Sequence, residues 1–204
     1  MSRNKFLIIM KTKSRLEEFT LPTRIIIGGP PNSGKSTLAE SLAKALRSFG
    51  VDAYAEDLDL ASQTLEFIKG EKPWELRARE KKEWTPELAD KAATKFKEAS
   101  KKHSVVIGDA PGKITTESRK IAQQADNAII LCRADSIKQK KEWRNFFESV
   151  GVKIICIAVS KMEGIGYVKV NEVIEATVIG LNRKPKTDEV IVGMAWYIKE
   201  KLKL

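Results

Sequence analysis

The stretch that decides the fold is "IIIGGPPNSGKST", Ile25 to Thr37. Three isoleucines run into a glycine- and proline-rich turn, and a lysine followed by two hydroxyl residues opens what comes next. Gly29, Gly34, Lys35 and Ser36 stand at the spacing G-x-x-x-x-G-K-[ST]. Glycines at those positions let the backbone point its N–H groups inward at phosphate oxygens. Lys35 has the reach for the terminal phosphates, and the Ser36 hydroxyl suits Mg²⁺. Asn32 and Ser33 complete the loop and Thr37 continues the helix. The predicted phosphate cradle is therefore Gly29, Asn32, Ser33, Gly34, Lys35, Ser36 and Thr37.

The flanks supply the context that such a loop requires. Thr23 to Gly28 is a nearly continuous apolar run, the pattern of a strand buried on both faces. Ser36 to Phe49 places Leu38, Leu42, Ala45, Leu46 and Phe49 at helical spacing, and Gly50 stops it. Beyond it the same alternation recurs. Strands are predicted at Ala53 to Ala55, Ser104 to Gly108, Asn127 to Cys132 and Lys153 to Ser160. Helices are predicted from Leu60 to Ile68, from Thr85 to about Lys102, and over Thr116 to Gln124 and Ile137 to Val150. In "WTPEL", Trp84 to Leu88, Thr85 can cap, Pro86 fits the first helical position and Glu87 suits the positive end of the dipole. A β-like run, Val173 to Gly180, and a closing helix, Asp188 to Lys201, end the chain. The expected architecture is an α/β, three-layer αβα P-loop fold around a mostly parallel, five-stranded core sheet.

"HSVVIGDAPGK", His103 to Lys113, ends an apolar strand on Asp109, where a P-loop protein needs a carboxylate for its metal. Asp109 to Gly112 also has the D-x-x-G form of a switch loop, in which the Gly112 N–H senses the terminal phosphate. The next residue is Ala110, so there is no Asp-Glu pair to activate water as in ring-forming ATPases. Only one short strand separates the Ile25 strand from the Asp109 strand. That suits the kinase–GTPase branch of P-loop folds, with the two strands side by side and an order of 2-3-1-4-5.

Composition limits what surrounds this site. The 204 residues, 42% of them hydrophobic, suffice for one sizeable core. Residues 23–204 read as one nucleotide-binding domain with a lid-like insert at 70–84, preceded by a basic appendage over 1–22. No apolar run approaches the roughly eighteen residues of a membrane span. "FLIIM" (Phe6 to Met10) is too short for a signal core, so no membrane partner and a cytoplasmic location are expected. Cys132 and Cys156 lie in apolar runs without metal-ligand spacing and read as inert buried thiols. Lys and Arg total 37 against 27 Asp and Glu, a net charge of +10, which favours anionic partners unless it is only a solvated lysine surface.

Three stretches bear on the acceptor. "YAEDLDL", Tyr54 to Leu60, places Glu56, Asp57 and Asp59 at the end of the second strand, where open α/β sheets bind ligands. A carboxylate there can take the proton of an attacking hydroxyl, and Asp57 or Asp59 is the candidate base. "WELRAREKKEW", Trp74 to Trp84, carries Arg77 and Arg79 as lid cations for the transferred phosphate, or else is a charged helix face. "AVSKMEG", Ala158 to Gly164, has Ser160 and Glu163 where the guanine-reading N-K-x-D motif has Asn and Asp. ATP is therefore the expected donor, with GTP as the alternative.

"GGPPNSGKST" (Gly28 to Thr37), the R-x-R-x-x-x-x-W-T-P-E run (Arg77 to Glu87), "GDAPGKIT" (Gly108 to Thr115), "SKMEG" (Ser160 to Gly164) and "ATVIGLNR" (Ala176 to Arg183) together span most of the chain from residue 24 onward. On these motifs the sequence resembles the small AAA or kinase-like nucleotide-binding domain linked to a CRISPR-associated ring nuclease of the Csx type. The resemblance implies a nucleotide-dependent accessory role beside a CRISPR-system partner. No stretch of these residues reads as an obvious counterpart of the nuclease domain.

The residues themselves predict a Mg²⁺-dependent, ATP-binding phosphotransferase with an unidentified small acceptor such as a nucleoside or nucleotide. A slow ATPase or GTPase switch is the alternative. A third reading is a nucleic-acid-directed protein using the basic arm Arg3 to Arg15. The tail strand at Val173 to Gly180 could pair with the sheet edge or serve a homodimer.

Overall fold

The structure, a computed structural model, describes residues 21–76 and 82–204. Most of the basic appendage, together with Arg77 and Arg79 of the lid-like insert, lies outside the described residues.

The strand that leads into the phosphate loop, β1 (Thr23–Gly28), lies inside the sheet, with a strand paired on each side. Its three isoleucines alternate between the two faces, so Ile25 and Ile27 enter one core and Ile26 the other. Helix α1 (Lys35–Ser48) covers the first face with Leu38, Leu42, Ala45 and Leu46 fully buried. Its C-terminus passes into Gly50 at a φ of 78°, in the left-handed region glycine favours. Strand β2 (Ala53–Asp57), the short helix α2 (Thr64–Lys69) and a 3-10 turn (Trp74–Leu76) lead into the insert. Strand β2 is two residues longer than the predicted Ala53–Ala55, because Glu56 and Asp57 are buried within it rather than solvated in a turn.

Helix α3 (Pro86–Ala99) starts where the sequence places it: the Thr85 side chain accepts from the Leu88 N–H at 3.3 Å, with Pro86 in the first position. Strand β3 (Val105–Asp109), helix α4 (Thr116–Ala122), strand β4 (Asn127–Arg133), helix α5 (Ile137–Ser149) and strand β5 (Lys153–Lys161) continue the alternation. Helices α3, α4 and α5 build the second core with Phe96, Ile121, Trp143 and Phe147.

The sheet has seven strands where five were expected, because the tail adds two: β6 (Tyr167–Val170) and β7 (Ile174–Ile179). Its order is β2-β3-β1-β4-β5-β7-β6. The predicted 2-3-1-4-5 is contained in its first five strands. Strand β7 pairs in parallel with β5, and β6 turns back antiparallel along β7 to form the edge. The closing helix α6 (Glu189–Leu202) packs on α1 and on this added pair, burying Ile191, Met194, Ala195 and Ile198.

Candidate functional site

The phosphate loop leaves β1 through Gly29, where a Cβ would lie 1.9 Å from the Leu131 carbonyl oxygen, so the strand exit has room only for glycine. The loop turns through Asn32 at a φ of 59° and Gly34 at a φ of 94°. Helices α3, α4 and α6 open on the capping side chains of Thr85, Thr115 and Asp188. Helix α1 opens on Gly34, with no capping side chain and no acidic residue in its first turn. Its first N–H groups and the positive end of its dipole face the loop, the arrangement that binds phosphate.

Lys35 turns back into the loop and donates from Nζ to the Pro30 carbonyl at 3.0 Å. Burial lowers its pKa, while the negative charges of Asp109 and Asp59 pull the other way. Ser36 is partly buried beside Asp109, and Thr37 is buried in the first turn of α1. The Ser33 hydroxyl points inward and is buried without a hydrogen-bond partner among the described residues.

Three strands deliver their ends to one level. Ile27 of β1 and Asp57 of β2 both stand in register with Asp109 of β3. Burial pushes the Asp109 carboxyl up to about 6, opposed by Lys35 and the Ser36 hydroxyl. Its Oδ1 is buried with no donor among the described residues. Asp57 is held well above the usual carboxylate range by burial and by the charge of Asp109.

The structure separates the three acids of "EDLD". Glu56 faces α3, where its Oε1 lies 2.7 Å from Lys95 Nζ and accepts the Asp57 N–H at 3.1 Å, so it is already engaged by both. Asp57 accepts the Asp59 N–H on Oδ1 at 3.0 Å and the Leu65 N–H on Oδ2 at 2.9 Å. It thereby ties the turn after β2 to the start of α2. Asp59 is half-buried, and its charge acts on Lys35, Asp57 and Asp109 alike.

Two loops close on the cradle. Gly112 lies against Pro31: a Cβ there would be 2.8 Å from the Pro31 nitrogen. Leu181, in the segment after β7, sits on Gly34, with its Cβ 2.7 Å from where a Gly34 Cβ would be. That segment is anchored to α1 by the Lys186 N–H, which donates to Ser41 Oγ at 3.0 Å. The "ATVIGLNR" motif contained Leu181, but nothing in its residue types marked a contact with the phosphate loop.

A family profile described as AAA domain matches residues 25–146, the span from the phosphate loop through the Asp57–Asp59 turn and the Asp109 loop to α5. The chain belongs to this AAA-domain family. Solved structures share its fold at low identity. The septum site-determining protein MinD from Pyrococcus horikoshii, complexed with Mg-ADP, aligns with a TM-score of 0.54 and 17% identity over 68% of this chain and 70% of that one. The kinase domain of the Escherichia coli tyrosine kinase ETK gives 0.51 and 17% over 73% and 74%. Cobyrinic acid a,c-diamide synthase from Mycobacterium smegmatis, with bound ADP and magnesium, gives 0.53 and 14% over 68% and 74%. No curated protein matches the sequence. The AAA-domain protein thus has the three-layer P-loop NTPase fold. A link to a ring nuclease is not part of what these matches carry. Among the described residues, no helix is long and apolar enough to cross a membrane.

Proposed function

We propose that this AAA-domain protein is a Mg²⁺-dependent phosphotransferase that uses ATP and transfers its terminal phosphoryl group to a hydroxyl acceptor. The observation that carries the reading is the convergence of Lys35, Asp59 and Asp109 at the ends of adjoining strands, with Asp109 Oδ1 buried and lacking a donor. A buried carboxylate oxygen without a partner costs free energy unless something binds it. Ser36 and Asp109 fit a hard divalent cation, which bound there would neutralise charge building on the transferred group.

The chain's own groups divide the remaining work. The uncapped N-terminus of α1 and the loop N–H groups hold the phosphates. Lys35, dry and close to Asp109, stabilises charge on the terminal phosphoryl group. The acceptor oxygen attacks phosphorus as its proton passes to a carboxylate, and the bond to the ADP oxygen breaks. Asp59 is the better base of the two predicted, since both oxygens of Asp57 already accept backbone N–H groups. Arg77 and Arg79 are proposed to close over the phosphates from the insert. Ser160 and Glu163 in place of the guanine-reading pair favour ATP over GTP.

The contact of Gly112 with Pro31 favours a second reading, a slow switch whose Asp109–Thr115 loop follows the state of the nucleotide and reports to a partner, including one of the CRISPR kind. The deciding experiment is Mg²⁺-ATP and Mg²⁺-GTP turnover with and without a panel of nucleosides, nucleotides and short 5′-hydroxyl RNAs. A labelled acceptor supports transfer. Slow hydrolysis indifferent to every acceptor removes it and leaves the switch.

A further inference from the structure

The mouth of this site is ringed by cations that the nucleotide cradle does not use. Lys113 follows β3, Lys138 and Lys141 lie in the opening turns of α5 after β4, Lys161 ends β5, and Arg183 and Lys184 follow β7. Parallel strands deliver all of them to the same end of the sheet as Lys35 and Asp109. All six are exposed, and none is in an ion pair among the described residues. Of the acids in the same segments, Asp135 is paired with Arg133 at 2.9 Å and Asp188 with Lys186 at 2.6 Å, while Glu142 and Glu163 are exposed beside Lys141 and Lys161 without an ion pair among the described residues, so the cations outnumber the free acids. The net charge of +10 is thus expressed here as a net positive field at the phosphate-loop end of the sheet.

The span of this field bears on what it attracts. Four strand spacings separate β3 from β7, which places the ends of the rim roughly 19 Å apart at about 4.8 Å per strand. One nucleotide on the phosphate loop would need only Lys35 and the N-terminus of α1. Charge spread across that width matches the successive phosphates of a strand instead. The rim also carries an exposed guanidinium plane, Arg183, which lies 5.2 Å from the centre of the Trp74 ring and is backed by it, the ring in turn resting on buried Phe67 at 5.6 Å. Aromatic and guanidinium planes are the surfaces on which unpaired bases stack.

We infer that the acceptor is a single-stranded nucleic acid, its backbone drawn along Lys113, Lys138, Lys141, Lys161 and Lys184 and its terminal hydroxyl brought to Asp59. The inference rests on the phosphotransferase reading for its chemistry and on the rim alone for its binding, so the two fail separately.

The test measures binding of a short 5′-hydroxyl single-stranded RNA to the full chain across a salt series, alongside transfer of label from ATP. Five phosphate contacts give a slope of log K against log salt of about −3.5. Lys138→Ala with Lys141→Ala lowers the slope by about 1.4 and weakens binding about tenfold near physiological salt. Both are solvent-exposed, so ATP turnover without acceptor stays unchanged. Trp74→Ala weakens binding without changing the slope. A flat slope, equal displacement by polyglutamate, or capture by anionic vesicles in place of RNA overturns the nucleic-acid assignment. Salt-dependent RNA binding without label transfer retains the surface and removes the phosphotransferase. Transfer to a free nucleoside that is indifferent to the lysine substitutions retains the phosphotransferase and removes the inference.

Discussion

Asp57 and Asp109 face each other in register on adjacent parallel strands, each with only 2% of its surface exposed. Two carboxyls so placed cannot both ionise cheaply, and the charge on Asp109 helps hold the proton on Asp57. The pair is therefore electrostatically costly, and on the proposed function a divalent cation at Asp109 would relieve it.

Stability should depend on pH through Asp109. Its folded pKa of about 6 lies above the ordinary carboxylate value of 3.8, so the folded state keeps a proton that the unfolded chain has released. Its contribution is fully present below the unfolded value and is lost as pH rises through 6, a change of about 3 kcal/mol. Asp109→Asn removes that dependence. The difference between wild-type and variant melting temperatures should therefore grow in the variant's favour from about pH 4 to pH 7. Mg²⁺ should raise the wild-type Tm most at the upper end and leave the variant unmoved. Parallel curves across the range would refute the assignment.

Asp57 and Asp59 should separate cleanly. Asp57→Asn keeps one acceptor oxygen where two backbone N–H groups need partners, at a cost of about 1–3 kcal/mol by denaturant unfolding. Asp59→Asn leaves the fold unchanged and lowers transfer about 10²–10⁴-fold, with nucleotide affinity retained. Similar profiles for the two variants would return the base to an open question between them.

Lys35→Ala should reduce turnover by about 10²–10³-fold or more. Because the ammonium is already penalised by burial, the melting temperature should hold or rise. Turnover that survives the substitution would contradict the role of the loop.

Gly112→Ala forces a methyl group to within 2.8 Å of the Pro31 nitrogen, so the loop after β3 must move off the cradle. Limited proteolysis of the 109–115 segment should differ between di- and triphosphate states in the wild type and be equal in the variant. An unchanged difference would detach that loop from nucleotide sensing.

What was legible in the sequence follows from how local each signal is. The phosphate loop, its flanking strand and helix, and the Thr85 cap are each encoded within a dozen or so neighbouring residues, and all appear where they were read. Asp109 was readable because a single charge terminates an otherwise apolar strand. Strand β6 was missed: four residues, three of them exposed, carry too little pattern beside two nearby glycines. That β7 extends the sheet beside β5 depends on pairing across sequence, which residue type does not encode. For the same reason Glu56, Asp57 and Asp59 looked interchangeable, and only Lys95, Leu65 and the register with Asp109 assign them different duties.

The match to the AAA-domain family ends at residue 146, yet Leu181 sits directly on Gly34 of the phosphate loop. The phosphate-loop end is therefore a composite of the matched span and a tail that covers it, joined by the leucine–glycine contact, the Lys186–Ser41 hydrogen bond and the packing of α6 on α1. A chimaera joined after α5 would take its phosphate loop from one parent and the residue that roofs Gly34 from the other.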